Sequence, residues 1–232
     1  MLEILKTYSL DLFHLFYPRI CASCANSLNS SEKAICLSCK YNYKRPKFHD
    51  DKNNEVEKRF WGKIKVKAAS AHAQFIKDGL LQKAIYELKY KQNTLVGEEL
   101  GKELGYELKN SARFKDVDLV LPVPLHKIKK RKRGYNQCDF IAKGVAEAME
   151  IEWSVRHIRR NVYNISQTGK SKYGRFKNTE NIFEAYGDGH LNGRNILLVD
   201  DVITTGATIE ACVNALNKVE GAEIYVASVA YA

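Results

Sequence analysis

The chain is 232 residues long, 45% hydrophobic and 28% charged, with a formal net charge of +10. That length buries a sizeable core, so one main domain with a small accessory module is the expectation. No stretch reaches the ~18 uninterrupted apolar residues that cross a bilayer, and residues 1–18 are interrupted by Glu3, Asp11 and His14 without a small-residue cleavage site, so neither an integral membrane protein nor a signal peptide is expected and the protein is read as cytoplasmic.

Residues 1–60 are read as an N-terminal helix, a metal module and a linker. Leu10, Leu12, Phe13, Leu15, Phe16 and Tyr17 suit a helix packing on the module. Cys21, Cys24, Cys36 and Cys39 then form two CxxC pairs separated by eleven residues. Two such pairs supply four thiolates to one tetrahedral Zn2+, and four protein ligands leave no open position, so the zinc is expected to be structural. Lys40 to Arg59 is polar and highly charged without a usable period and reads as a linker or surface excursion.

Residues 61–232 are read as the main domain. A strand is placed within Lys63 to Ala73, and two amphipathic helices follow, one through Leu80, Leu81, Ala84, Ile85 and Leu88, the other through Val96, Leu100, Leu104 and Leu108. Tyr86, Lys89 and Tyr90 on the first of these are read as a solvated edge in preference to a ligand-facing surface. Val117 to Val123 is a second buried strand. After Pro124 comes HKIKKRKRGYNQ, a basic loop containing Lys127, Lys129, Lys130, Arg131, Lys132 and Arg133, and then a helix with Ile141, Ala142, Val145, Ala146 and Met149 on one face. Such a loop lies at the carboxyl edge of an α/β sheet, where ligands collect.

Charge is concentrated here. Between His126 and Lys177 fourteen Lys and Arg face four acids, and the remainder of the chain sums to zero. A field confined to one segment favours a polyanion or phosphate-rich ligand. Val155 to Asn178, with Lys170, Lys172, Arg175 and Tyr173, suits a flap over a phosphorylated ligand. Within it NISQTGKS ends like a nucleotide-binding phosphate loop but lacks the first glycine and a preceding strand. His14, His49, His72 and His190 share no metal spacing, and Cys138 and Cys212 are read as buried inert thiols.

The most informative stretch is Asn195 to Ala211, NILLVDDVITTGATIEA. A buried parallel strand reaches two carboxylates, then a tight loop of small and hydroxyl-bearing residues, then a helix with Ile209, Cys212, Val213 and Leu216 on one face. The opening N–H groups of a helix have no internal partner and attract an anion. Paired carboxylates beside that site would repel a bare phosphate, but they satisfy the two hydroxyls of a ribose. The pattern asks for a ribose 5-phosphate. Ala222 to Ala232 completes the chain as a final strand.

Leu197 to Thr208 closely resembles the phosphoribosyl pyrophosphate (PRPP) signature of type I phosphoribosyltransferases. The order of CxxC…CxxC, ELKY, PVPLHKIKKRKRGYNQ, QTGKSKYGRFKN and LLVDDVITTGAT resembles the ComF family, in its ComFC branch, over essentially the whole chain. The resemblance implies an α/β fold of the type I phosphoribosyltransferase kind, with a Rossmann-like, mostly parallel sheet flanked by helices, plus a small N-terminal four-Cys zinc finger. It implies PRPP along Asp200, Asp201, Val202, Ile203, Thr204, Thr205, Gly206, Ala207 and Thr208, with Mg2+ accompanying it, and pyrophosphate or flap roles for Arg133, Lys170 and Arg175. It further implies a part in natural competence, handling incoming single-stranded DNA at the inner face of the membrane beside other uptake proteins. The basic run with Tyr135, Tyr163 and Tyr173 fits unpaired nucleic acid on charge and stacking grounds. A metabolic phosphoribosyltransferase acting on a nucleobase or amine, and a PRPP-responsive nucleic-acid-binding regulator, are the competing readings.

Overall fold

The computed structural model describes residues 18–161, 182–187 and 189–232. The expected N-terminal helix, the NISQTGKS stretch and Lys170, Arg175, Tyr163 and Tyr173 lie outside the described residues. The core is a five-stranded parallel sheet of β1 (Ala68–Gln74), β7 (Glu223–Tyr231), β6 (Asn195–Ile203), β2 (Leu119–Pro122) and β3 (Glu152–Trp153), in that order. A separate hairpin pairs β4 (Ile158–Arg160) with β5 (Phe183–Ala185).

The continuous apolar run of β6 is explained by burial on both faces. Leu197 and Val199 pack on one side with α3 (Leu80–Tyr90), α4 (Thr94–Lys109) and α6 (Gln137–Met149); Ile196 and Leu198 pack on the other with α2 (Glu55–Lys58) and α7 (Ala207–Leu216). The expected helical faces are buried as read: Val96, Leu100, Leu104 and Leu108 on α4, and Ile141, Ala142 and Val145 on α6, are fully enclosed.

Four local expectations are revised. The first strand, expected within Lys63 to Ala73, is narrowed to Ala68–Gln74: although Ile64 and Val66 alternate with lysines and pack on the core, ahead of Ala68 only the Lys67 N–H reaches the sheet, at Ile224 O. Second, the stretch expected as a linker is folded onto the body: Tyr43, Phe48, Val56 and Phe60 are buried, and Asn54 caps α2 while its amide donates to Ala69 O at 2.8 Å. Scattered aromatics in a charged run carry no period, so nothing local announced this. Third, the basic loop is a helix, α5 (Lys127–Arg133), with His126 capping its start and left-handed Gly134 ending it. Lys and Arg are good helix formers and this helix buries none of its side chains. Fourth, β6 runs on through Asp200 and Asp201 to Ile203.

The four-cysteine module contains α1 (Leu37–Tyr41) and a bridge between Ile20 and Ser27. It is seated on α4 by three glutamates spaced one turn apart. Glu99 accepts from the Ala34 and Ile35 N–H groups at 2.9 and 3.1 Å, Glu103 faces Lys40 and Arg45, and Glu107 faces Arg45 and His72.

Helices α4 and α6 cross closely enough to need glycine. A Cβ on Gly101 would stand 2.2 Å from Ile141 O, and one on Gly144 would stand 2.2 Å from Glu98 O. Both obstacles are backbone and cannot swing aside. Gly101→Ala and Gly144→Ala are therefore each expected to cost roughly 1–3 kcal/mol or more and to lower the thermal midpoint by several degrees in a circular-dichroism melt; a midpoint equal to that of the parent would remove this account of the crossing.

Candidate functional site

At the carboxyl end of β6 the two acids are held from several elements. Asp201 is buried, and its Oδ2 lies 2.9 Å from Lys89 Nζ of α3 and accepts from Gln137 Nε2 of α6 at 2.7 Å. Gln137 Oε1 in turn accepts from the Arg133 guanidinium. Asp200 Oδ1 accepts from the Asp201 N–H at 2.9 Å and from the Cys138 thiol at 3.3 Å. Enclosure by protein atoms, reinforced by the Asp201 charge, pushes the Asp200 carboxyl up to about 7. Burial, then the two carboxylates, pushes the Cys138 thiol well above its ordinary range, which keeps the proton it donates.

Sequence reasoning missed the parts played here by Lys89 and Cys138, and it placed Gln137 only as a motif residue. No local signal marks Lys89 as the partner of an acid more than a hundred positions away.

The loop after the acids turns at Gly206, which has φ +84° and caps α7. Only glycine adopts that angle cheaply, and a Cβ there would also meet the Phe60 ring at 2.8 Å. Arg59 donates to Thr204 O, and Lys63 pairs with Glu210 at 2.9 Å. The loop therefore rests on the segment that looked like a linker. Thr204, Thr205, Ala207 and Thr208 are exposed around the start of α7, where first-turn N–H groups are unpaired within the helix.

Lys127, Lys129, Lys130, Arg131 and Lys132 on α5 are exposed, and Arg133 is half-buried against Gln137. Tyr135 differs from its expected stacking role: it is half-buried, its hydroxyl donates to Leu88 O and its ring packs edge-on against Phe140. The β4–β5 hairpin places Arg159, Arg160 and Tyr186 across a cavity of about 190 Å³ from Lys127 and Lys130, above the end of β2.

The four cysteines are brought together. Their Sγ atoms all lie within 4.8 Å of one another, and Cys24 and Cys36 are 3.8 Å apart, the edge of a tetrahedron with metal–sulfur bonds of about 2.3 Å. N–H groups of Ser23 and Cys36 point at Cys21 Sγ at 3.4 and 3.2 Å, and that of Cys39 at Cys36 Sγ at 3.5 Å. Burial raises the Cys21 thiol, but the backbone N–H groups outweigh it and pull it down to about 7. The set suits a thiolate-bound metal ion.

Comparison with known proteins follows the same lines. Over 121 residues the chain is 31% identical to competence protein F of Haemophilus influenzae Rd, covering 52% of this chain and 53% of that one. Over 132 residues it is 26% identical to DNA utilization protein YhgH of Escherichia coli K12, covering 56% and 57%. Residues 141–232 match the phosphoribosyl transferase domain family. The chain is a homologue of competence protein F. Its fold is that of a type I phosphoribosyltransferase, with a four-cysteine cluster at the N-terminal end, and the matched segment spans β6, the acid pair and the loop to α7. The matches span about half the length of these curated relatives. A shorter match, 37% identity over 57 residues, reaches adenine phosphoribosyltransferase of Actinobacillus succinogenes, covering 25% of this chain and 29% of that one. Among the described residues no helix is long and apolar enough to cross a membrane.

The purified protein is expected to carry one equivalent of metal per chain, and Cys21→Ser to lose it. Elemental analysis decides; unchanged metal content in the variant would remove the four-cysteine centre.

Proposed function

We propose that the protein binds PRPP at Asp200 to Thr208 and single-stranded DNA on its basic surface, and that it serves the cytoplasmic handling of incoming DNA alongside other uptake proteins. The observation that carries this is the acid pair and left-handed Gly206 loop at the end of a central parallel strand, adjoining the exposed cationic helix α5. Asp200 and Asp201 would accept from the ribose hydroxyls, and Thr204 to Thr208 would cradle the 5-phosphate with hydroxyls and helix-end N–H groups. Mg2+ accompanying PRPP would supply positive charge against the pyrophosphate at the acid pair, Asp200 and Asp201. Arg133 and α5, following β2, are placed by this reading near the pyrophosphate. Cys21, Cys24, Cys36 and Cys39 would hold Zn2+ as a structural ion.

A second reading, transfer of the phosphoribosyl group to a nucleobase or amine, is favoured by the stretch shared with adenine phosphoribosyltransferase. In that reaction the glycosidic carbon bonds to the acceptor nitrogen as pyrophosphate leaves, and the site would contribute positioned charge more than a proton acceptor. Release of pyrophosphate with a panel of acceptors distinguishes the two readings. A third, PRPP-dependent control of DNA affinity, requires reciprocal coupling.

Calorimetric titration with PRPP and Mg2+ is expected to show one site per chain, lost in Asp200→Ala/Asp201→Ala, whose melt stays cooperative but at a lower midpoint because Lys89 and Gln137 lose their buried partner; retained binding in that variant would displace the site. Repeating the titration with a short single strand present measures any coupling. The pH dependence has a definite sign. The Asp200 carboxyl is raised from its ordinary 3.8 to about 7, so the native state holds the extra proton and this group's contribution to stability falls as pH rises from about 4 to 7. An ionised carboxylate accepts ribose hydroxyls better, so PRPP affinity is expected to rise between pH 6 and pH 8 and then level, with the step reduced in Asp200→Asn. An equal step in that variant would place the titration elsewhere.

A further inference from the structure

Helix α3 turns two tyrosines to solvent. Tyr86 and Tyr90, one turn apart, are 51% and 64% exposed, with ring centroids 4.9 Å apart and planes tilted by 43°. The Arg133 guanidinium stands over the Tyr90 ring at 5.5 Å from its centroid. Beside this pair lies a cavity of about 390 Å³ lined by Lys89, Tyr90, Gln92, Lys129, Lys132 and Arg133. Four cations and no carboxylate face it among the described lining residues.

That combination selects its ligand. A free phosphate or pyrophosphate would use the cations and ignore the rings. A duplex offers the same phosphates but stacks its base faces inside. An unpaired strand offers both, a π-face for each ring and a phosphate for the neighbouring lysines. At the far end of the pair, the groove against the four-cysteine module includes Tyr86, Lys83 and Ile20 but also Asp78 and Glu87, so backbone phosphates are favoured at the Tyr90 end.

We propose that Tyr86 and Tyr90 are the base-stacking platform of a single-stranded nucleic-acid track whose phosphates lie on Lys129, Lys132 and Arg133. This rests on the single-strand reading given above and assigns it residues. Tyr135, the tyrosine closest to the basic run in sequence, is committed to Leu88 and Phe140; the solvent-facing rings come from a different helix. Lys89 faces this cavity and also pairs with Asp201, so the track and the acid pair share a wall.

The test is fluorescence anisotropy of a labelled twelve-nucleotide oligothymidylate, and of an abasic strand of equal length, on the full chain. The parent is expected to bind both, with oligothymidylate tighter and affinity falling with salt. Tyr86→Ala/Tyr90→Ala should weaken oligothymidylate binding roughly ten-fold or more, leave the abasic strand and the salt slope unchanged, and keep the parental PRPP affinity and melting temperature as evidence of an intact fold. Tyr90→Phe should retain binding, since the ring and not the hydroxyl stacks. Lys129→Ala/Lys132→Ala should weaken both strands and flatten the salt slope. If the parent binds oligothymidylate and the double tyrosine variant binds it equally well, the platform is wrong while the single-strand reading stands. If the parent retains neither strand at low salt, that reading falls and takes the platform with it.

Discussion

A carboxylate enclosed at the end of a parallel strand must be given partners, and the upper layer of this protein is arranged around that requirement at Asp201. Burying an ionised group without compensation costs several kcal/mol. Lys89 answers from α3 and Gln137 from α6, while Arg133 holds the other end of the Gln137 amide. Three helices are thereby tied to one strand end. The glycine crossing of α4 and α6 contributes to the same arrangement, because α6 must lie close on the body to present Gln137 and Cys138 together at its first turn.

The loop beyond the acids depends on the opposite face of the sheet. Arg59 and Phe60 belong to the charged segment that precedes β1, yet one bonds the Thr204 carbonyl and the other fills the space that a side chain at Gly206 would need. The four-cysteine module is attached separately, through the Glu99, Glu103 and Glu107 ladder on α4. These glutamates are partly enclosed, and Glu99 receives two backbone N–H groups, which gives the attachment more directional content than an exposed ion pair has. The N-terminal residues thus supply both a candidate metal centre and a support for the candidate phosphate loop.

Electrostatics separate the two halves of the ligand-bearing edge. The acid pair sits low, enclosed and partly neutralised, while α5 stands in solvent with six cations among its seven residues. A ligand carrying hydroxyls and phosphates fits the first region, and an extended polyanion fits the second. Their boundary runs through Lys89, which pairs with Asp201 and lines the cavity beside α5, and Arg133, which reaches Asp201 through Gln137.

What the chain determined by itself is whatever depends on neighbours in sequence. The apolar run of β6, the faces of α3, α4, α6 and α7, the two CxxC pairs and the DDVITTGAT order were all legible, because strand burial, helical period and ligand spacing are written within a dozen residues. The tertiary structure alone decided that Lys89 meets Asp201, that Arg59 and Phe60 lie beneath the Thr204–Thr208 loop, that Tyr135 turns inward, and that Tyr86 and Tyr90 stand beside the basic helix. Each of these joins positions separated by tens to more than a hundred residues. Such pairings follow from how the parallel sheet orders its crossovers, and side-chain chemistry is indifferent to them until the elements have packed.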